Sequence, residues 1–527
     1  MRLSLKPSWL AILVEAGDPA ARAAIGGAIL DQQDVRIALE ASQCALEALR
    51  DLHRHLDSAN DASLDAEDLL LHQQLSCWIE VEDFKGPKIT NLTHLVLQLV
   101  AYLKEGNQLL LREDATGALV PWYVSGIRVA KGKPPYITVR LEASVRGRRT
   151  GADVVFFGRD LMASVAKILA HRGCYRVGST GADCTYQITE AARISARVGL
   201  QVIVAGPCLT VDGKSAMIAA PERAVVDASR AGEPDFSKIG ELPAVVSAAF
   251  WGSPKMVRPP VQPYIRVFSL DRHTAYLVHV DRLREHVYDK DALDQVVVPR
   301  RARELLTALV EADVRAYRTA CSLVIFRGPP GTGKTRSAEA YAECARRPLY
   351  RVHCSQLGTS EIELEARLEE VLIRAEAWNA VVLIDEADVY VRPRTDDIKQ
   401  NAIVGVFLRL LDKHTSLVFL TTNRTDLDAA ITSRALVVFD YKLPTEEERV
   451  QIVQQHAAAM KLELSPEEAR WLAASKPDSG RALERMLCLT RLVHGCGGPN
   501  SPFQTPISTL RFLVSPVEDV AGAGGGV

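Results

Sequence analysis

The chain is predicted to carry an α/β fold in its C-terminal half, a parallel sheet flanked by helices. Three observations point to it. A glycine-rich run, Gly328-Pro329-Pro330-Gly331-Thr332-Gly333-Lys334-Thr335, separates an apolar stretch from a helical one. A second apolar stretch, Val381 to Ile384, ends in Asp385-Glu386, and a third, Leu417 to Thr422, ends in Asn423. Short continuous apolar runs of this kind are the signature of parallel strands buried on both faces. The polar residue closing each run belongs at the carboxyl edge, where open α/β sheets bind their ligands.

The first run, Leu323 to Phe326, is read as a strand, and Ser337 to Arg346 as a helix. Between them the sequence fits G-x-x-x-x-G-K-[ST], the phosphate-binding P-loop. Its glycines let backbone N–H groups wrap closely around phosphate oxygens, and the helix N-terminus adds a favourable dipole. Gly328, Pro329, Pro330, Gly331, Thr332, Gly333, Lys334 and Thr335 are therefore the expected ATP-binding residues. Lys334 should reach the β- and γ-phosphates, and Thr335 should ligate Mg²⁺.

Asp385 is expected to hold Mg²⁺ and Glu386 to polarise the attacking water. Two adjacent carboxylates at the end of an apolar strand repel each other, and a cation removes that objection. Asn423 is expected beside the γ-phosphate, orienting the water. Asp385-Glu386-Ala387-Asp388 also spells DEAD, but the residues after it are not helicase-like. Ser433-Arg434 comes next. Then Thr445 and Glu448 have capping-box spacing at the start of a helix, and Ser479-Gly480-Arg481 opens another.

With these motifs in order, GPPGTGKT, VVLIDEAD, FLTTN, ITSR and SGRALERM, the chain resembles the AAA family from about Asp291 to Val493. The resemblance implies a P-loop module with a small α-helical lid. It matches Asn423 to sensor 1 and Arg434 to the arginine finger that completes a neighbouring subunit's site. Arg481 falls at the sensor 2 position of the lid. Arg424 is a weaker candidate for the finger. An arginine beside an expected helix start is electrostatically odd unless it meets phosphate. The resemblance further implies Mg²⁺-dependent ATP hydrolysis in a homo-oligomeric ring, expected as a hexamer, acting on a protein client that the sequence does not identify. An ATP-gated scaffold using the same residues is the rival reading.

One departure matters. Cys354 to Glu361 carries no aromatic residue where many family members place a pore loop. Leu357-Gly358 is either a reduced version or a turn into the next helix, so threading of a polypeptide is not implied.

The rest divides by texture into a helical N-terminal region (1–85), an α+β accessory domain (86–290), the large α/β subdomain (291–442), the helical lid (443–496) and a flexible tail (497–527). In the first, Val35 to Leu56 has helical spacing. In the second, Leu109–Leu111, Tyr123–Val129, Tyr136–Val139, Val154–Phe157, Val202–Val204 and Tyr264–Val280 read as strands, Lys131 to Pro135 as a turn and Leu161–His171 as a helix. Ser253–Tyr264 is proline-rich and reads as a linker, and Leu510–Leu513 is an apolar patch able to dock back. The formal net charge of −2 argues against a nucleic-acid motor. Ten cysteines without zinc spacing suit reduced thiols in the cytoplasm. Trp9 to Val14 is too short for a secretory segment, and no stretch is long enough to span a membrane.

Overall fold

The computed structural model describes residues 1–25, 37–59, 66–105, 109–114, 116, 118–130, 134–145, 148–161, 163–176, 184–212, 214–227, 262–298, 300–311, 322–358, 360–393, 398–475, 480–493 and 505–514. Its contacts divide the chain into two compact units, Met1–His286 and Val287–Val527.

In the second unit five strands form one parallel sheet in the spatial order Leu349–His353, Val381–Asp385, Leu417–Thr422, Ser322–Arg327, Ala435–Asp440. The central strands are buried throughout, which explains their uninterrupted apolar sequence. Phe326 stacks on Phe419 at 5.2 Å and meets Phe439 at 5.4 Å, fixing the middle of the sheet. Because all five strands run the same way, Asp385, Thr422 and the loop after Arg327 share one edge. The helix after the glycine loop runs Lys334–Cys344, starting earlier than the sequence suggests because the loop leads straight into its first turn.

Three helices, Glu446–Ala459, Pro466–Ser475 and Gly480–Val493, follow the sheet. The first is closed by the capping box read from sequence: Thr445 and Glu448 bond each other's backbone N–H at 2.8 and 3.2 Å. The tail differs from the flexible segment expected. Pro506–Val514 is a helix, and Leu510 is fully buried in the core of these helices. The apolar face of this segment gains more by docking than its Gly/Pro-rich surroundings suggest. Residues 497–504 and 515–527 lie outside the described ones.

The first unit is not purely helical at its start. Arg2–Leu5 and Ile37–Glu40 pair antiparallel, with Leu3 opposite Leu39. The helix expected from Val35 is confined to Leu46–Ser58; Val35 itself lies outside the described residues. The cause is an ambiguity of period: Ile37 and Leu39 fit alternation as well as helical spacing. Helices Pro7–Glu15, Leu46–Ser58 and Ala66–Asp83 enclose a core with Leu10, Leu49, Leu52 and Leu75.

Two antiparallel sheets follow. The first is ordered Arg148–Phe157, Tyr136–Val145, Leu119–Ala130, Leu109–Glu113, Cys174–Arg176. The helix beside it is only Val165–Ala170, because Ser164 caps it and Leu161 precedes the cap. In the second, Gln201–Thr210, Ser215–Val226, Tyr264–Ser269 and Thr274–His279 close on themselves, since the last strand also pairs with the first. Closure removes exposed edges. Arg282 ties the two sheets by donating to the carbonyls of Pro207 at 2.7 Å and Thr116 at 3.0 Å. The turn at Lys131–Gly132–Lys133 and most of the proline-rich segment lie outside the described residues.

Leu510→Ala should destabilise the C-terminal helices by about 2–5 kcal/mol, the usual loss for a fully buried leucine. Chemical denaturation followed by the fluorescence of Trp471, in the same helical core, measures it. An unchanged midpoint would show that the helix does not dock.

Candidate functional site

Gly328 begins the loop at φ 143°, and a Cβ there would lie 2.1 Å from the Tyr441 carbonyl oxygen. Only glycine lets the loop leave its strand at this point. Gly331 and Gly333 are also left-handed, at φ 73° and 92°. The Thr332 hydroxyl closes the turn by donating to the Pro329 carbonyl at 2.9 Å.

Lys334 is buried at the first helical position. Its ammonium donates to the carbonyls of Gly328 at 2.7 Å and Pro329 at 2.6 Å, and to Asn423 Oδ1 at 3.0 Å. Burial lowers its pKa and nearby Arg481 adds to that, while Asp388 and Asp385 oppose it. Asn423 is thus joined to the glycine loop across 89 residues of sequence. Its position is fixed from the other side by Asp388, whose carboxylate accepts the Asn423 backbone N–H at 3.0 Å and the Thr422 hydroxyl.

Asp385 is buried at the end of Val381–Asp385, the strand next to the middle one. It accepts hydrogen bonds from Thr335 Oγ1 at 3.1 Å, Arg351 Nη2 at 2.6 Å and the Thr421 hydroxyl. Burial pushes its carboxyl up, but the Thr421 bond, the Arg351 charge and the Thr335 bond outweigh burial and hold it below its ordinary range. It is therefore an ionised oxygen ligand beside a hydroxyl.

Glu386 is exposed and adopts φ 56°, an unfavourable conformation for a non-glycine residue. Its backbone N–H donates to Thr421 Oγ1 at 3.0 Å. Such strain persists only where surrounding structure imposes it, and it commonly marks a functional position. Here it turns the second carboxylate away from the first and into the open.

These groups surround one cavity of about 730 Å³. Pro330, Gly331, Thr332, Gly333, Lys334, Thr335, Asp385, Glu386, Asn423 and Arg481 all line it. The helix Gly480–Val493 approaches so closely that a Cβ on Gly480 would lie 3.5 Å from the Gly331 carbonyl. That approach brings Arg481 to the glycine loop. Gly328 and Pro329 stand behind the lining, shaping the loop and accepting from Lys334.

Arg434 is not among the lining residues. Its guanidinium grips Asp412 with two bonds of 2.9 Å and also donates to the Ala430 carbonyl at 3.0 Å. The bond to Asp412 raises its pKa. Arg424 is likewise outside and pairs with Asp426.

Arg351 joins the site without belonging to any motif, and Asp388 and Thr421 lie inside VVLIDEAD and FLTTN without being assigned a role there. An arginine within the short strand Leu349–His353 is the available signal for the first, and the last letter of DEAD for the second. Leu357, beside the expected pore-loop position, is 1% exposed. It ends a short helix, Cys354–Leu357, and Gly358 turns the chain at φ 92°. Tyr390 ties that turn down by donating toward the carbonyls of Cys354 and Gly358, each at 3.2 Å. This is a turn and not a presented apolar side chain.

Residues 324–443 match the model of the family described as ATPase family associated with various cellular activities (AAA). A putative 26S proteasome regulatory subunit homolog of Methanocaldococcus jannaschii is 31% identical over 173 residues, covering 31% of this chain and 46% of that protein. The proteasome-activating nucleotidase of Archaeoglobus fulgidus is 34% identical over 153 residues, covering 26% and 38%. Fidgetin-like protein 1 of Drosophila melanogaster is 29% identical over 174 residues, covering 31% and 32%. The chain spans less than half the length of each of these relatives. The likeness to AAA ATPases thus rests on residues 324–443 and their immediate surroundings.

The lowered pKa of Asp385 sets a sign for acid stability. Its contribution is complete above the unfolded carboxylate value, about pH 4, and disappears as pH falls through the folded value. Arg351→Ala should shrink this acid-side loss by raising the folded pKa. Urea denaturation of both proteins from neutral pH down to about pH 3 tests it. Identical slopes would mean that Arg351 does not set the ionisation of Asp385.

Proposed function

We propose that this AAA-family chain is a Mg²⁺-dependent ATPase whose turnover remodels a protein partner. The observation that carries the reading is the convergence of Lys334, Asp385, Glu386, Asn423 and Arg481 on one cavity at the carboxyl edge of a parallel sheet. A glycine loop, a lysine and a helix N-terminus suit a triphosphate.

The donor set also fits a hard divalent cation, since a hydroxyl and an ionised carboxylate oxygen stand 3.1 Å apart. Thr335 and Asp385 would hold Mg²⁺, which when bound offsets negative charge on the phosphate oxygens. Lys334 binds β- and γ-phosphate oxygens by exchanging its loop carbonyls for them. Glu386, in the open beside Asp385, accepts a proton from the attacking water, and Asn423 orients that water. Arg481 brings a second cation from the helical lid, so lid and loop grip the phosphates together.

Arg434 acts outside its own cavity, on that of a neighbouring copy. The active form is then a ring, most simply a hexamer. The free thiols among the described cysteines suit a reducing, cytoplasmic setting. No helix among the described residues is long and apolar enough to cross a membrane. The buried Leu357 and the tethered turn after it favour a remodeller that shifts a partner without threading it.

Three measurements test the reading. Glu386→Gln should retain ATP binding while turnover falls by about 10²-fold or more, the usual weight of a general base. Arg434→Ala should keep nucleotide and lose about 10³-fold in turnover. Turnover per chain in the unaltered protein should rise with protein concentration as copies assemble. Turnover per chain that is independent of concentration would overturn the shared site, and nucleotide-driven assembly with negligible turnover would favour a scaffold.

A further inference from the structure

We propose that the first unit binds a divalent transition cation of the zinc class through His53, Asp57 and His72. Two helices bring these residues together. Leu46–Ser58 supplies His53 and Asp57 one turn apart, and Ala66–Asp83 supplies His72. His53 Nδ1 lies 3.1 Å from one Asp57 carboxylate oxygen, and His72 Nε2 lies 2.6 Å from the other. One potential ligand atom from each residue falls within 4.8 Å of the other two. Ligands of a tetrahedral zinc ion stand about 3.3 Å apart when each is about 2.0 Å from the metal, so only small side-chain shifts separate this cluster from a coordination shell.

The second nitrogen of His53 strengthens the case. His53 Nε2 is 2.7 Å from Ser76 Oγ, and Ser76 is one turn beyond His72 on the same helix. A ligating imidazole characteristically gives its remaining N–H to such a partner, which fixes the tautomer and leaves the other nitrogen's lone pair for the metal. With Nε2–H on Ser76, that lone pair on Nδ1 points at a carboxylate oxygen. In that tautomer two electron-rich atoms face each other, and a cation between them would remove the repulsion.

The two imidazole rings stack, with centroids 4.5 Å apart and planes 19° from parallel. Neutral imidazoles are the ligating form. The scaffold is rigid where it needs to be, because Leu49, Leu52, Leu56, Leu71 and Leu75 hold the helices together beneath the cluster. The half-exposed Asp57 leaves a side open for water as a fourth ligand. Two imidazoles and a carboxylate favour zinc-class ions over magnesium or calcium, separating this site from the all-oxygen pair at Thr335 and Asp385. The simpler alternative is a pair of N–H···carboxylate bonds across a helix seam, which would be indifferent to metal.

Calorimetric titration of the chelator-treated full chain with Zn²⁺, in excess Mg²⁺ to occupy the oxygen site, decides between them. One zinc per chain is expected, and zinc should raise the melting temperature. His72→Ala and Asp57→Ala should abolish that equivalent and the thermal shift. Ser76→Ala should weaken binding about tenfold or more. His55→Ala should change nothing, since its ring nitrogen is engaged on the Asp51 carbonyl at 2.8 Å. Circular dichroism checks the fold of each variant, and His72→Gln replaces the alanine variant if truncation disrupts the helix pair. Absence of zinc binding by the unaltered chain overturns the proposal, as does full binding by folded His72 and Asp57 variants.

Discussion

The second unit is organised around one buried carboxylate. Asp385 ends the strand Val381–Asp385, and its two oxygens collect Thr335 from the helix after the glycine loop, Arg351 from one neighbouring strand and Thr421 from the other. Leaving an ion of this kind unpaired in an apolar interior would cost several kcal/mol. Here the partners come from three separate elements, so satisfying the charge also sets where those elements meet. Thr421 does double duty: it donates to Asp385 and accepts the backbone N–H of Glu386. The same hydroxyl therefore pins the ionised ligand and the strained residue next to it.

A second chain of bonds runs parallel to the first. Asp388 holds Thr422 and Asn423, Asn423 holds Lys334, and Lys334 holds the carbonyls of the glycine loop. The loop is shaped by steric need, since Gly328 must pass beneath Tyr441, and positioned by electrostatics through its lysine. The two networks bring a carboxylate pair and an ammonium into one cavity. Arg481 completes it from the helix Gly480–Val493, whose start lies within ordinary contact distance of the Gly331 carbonyl.

How much is legible in the sequence depends on how local each signal is. The glycine loop, Asp385-Glu386 and Asn423 are contiguous patterns attached to strand ends, and a parallel sheet gathers strand ends automatically. Arg351 carries no such pattern, and Thr421 sits within FLTTN with nothing to single it out. They matter because of strand pairing, with Arg351 reaching Asp385 from 34 residues away. The same blindness applies to His53, Asp57 and His72, whose i,i+4 pair is unremarkable until a second helix lies against it. Errors at the ends of the chain have other causes. Ile37–Glu40 fits two periods at once, and only pairing with Arg2–Leu5 selects the strand. Pro506–Val514 is a helix because Leu510 finds a core, a tertiary effect that composition hides.

If Arg434 serves a neighbouring copy as proposed, its present contacts show how it is kept in the meantime. Its bidentate grip on Asp412 satisfies the guanidinium, yet the pair is substantially solvent-exposed, with side-chain exposures of 37% and 50%. Exposed pairs of this sort contribute only about 0–1 kcal/mol, because water competes and salt screens. An arginine aligned on developing phosphoryl charge in an excluded site is worth far more, about 4–7 kcal/mol when the known rate effects of arginine fingers are converted to barriers. If copies are so apposed, giving up Asp412 costs little against that gain in the transition state, while in a lone chain the side chain rests in a defined place. The pairing thus orients Arg434 at little energetic cost to its release.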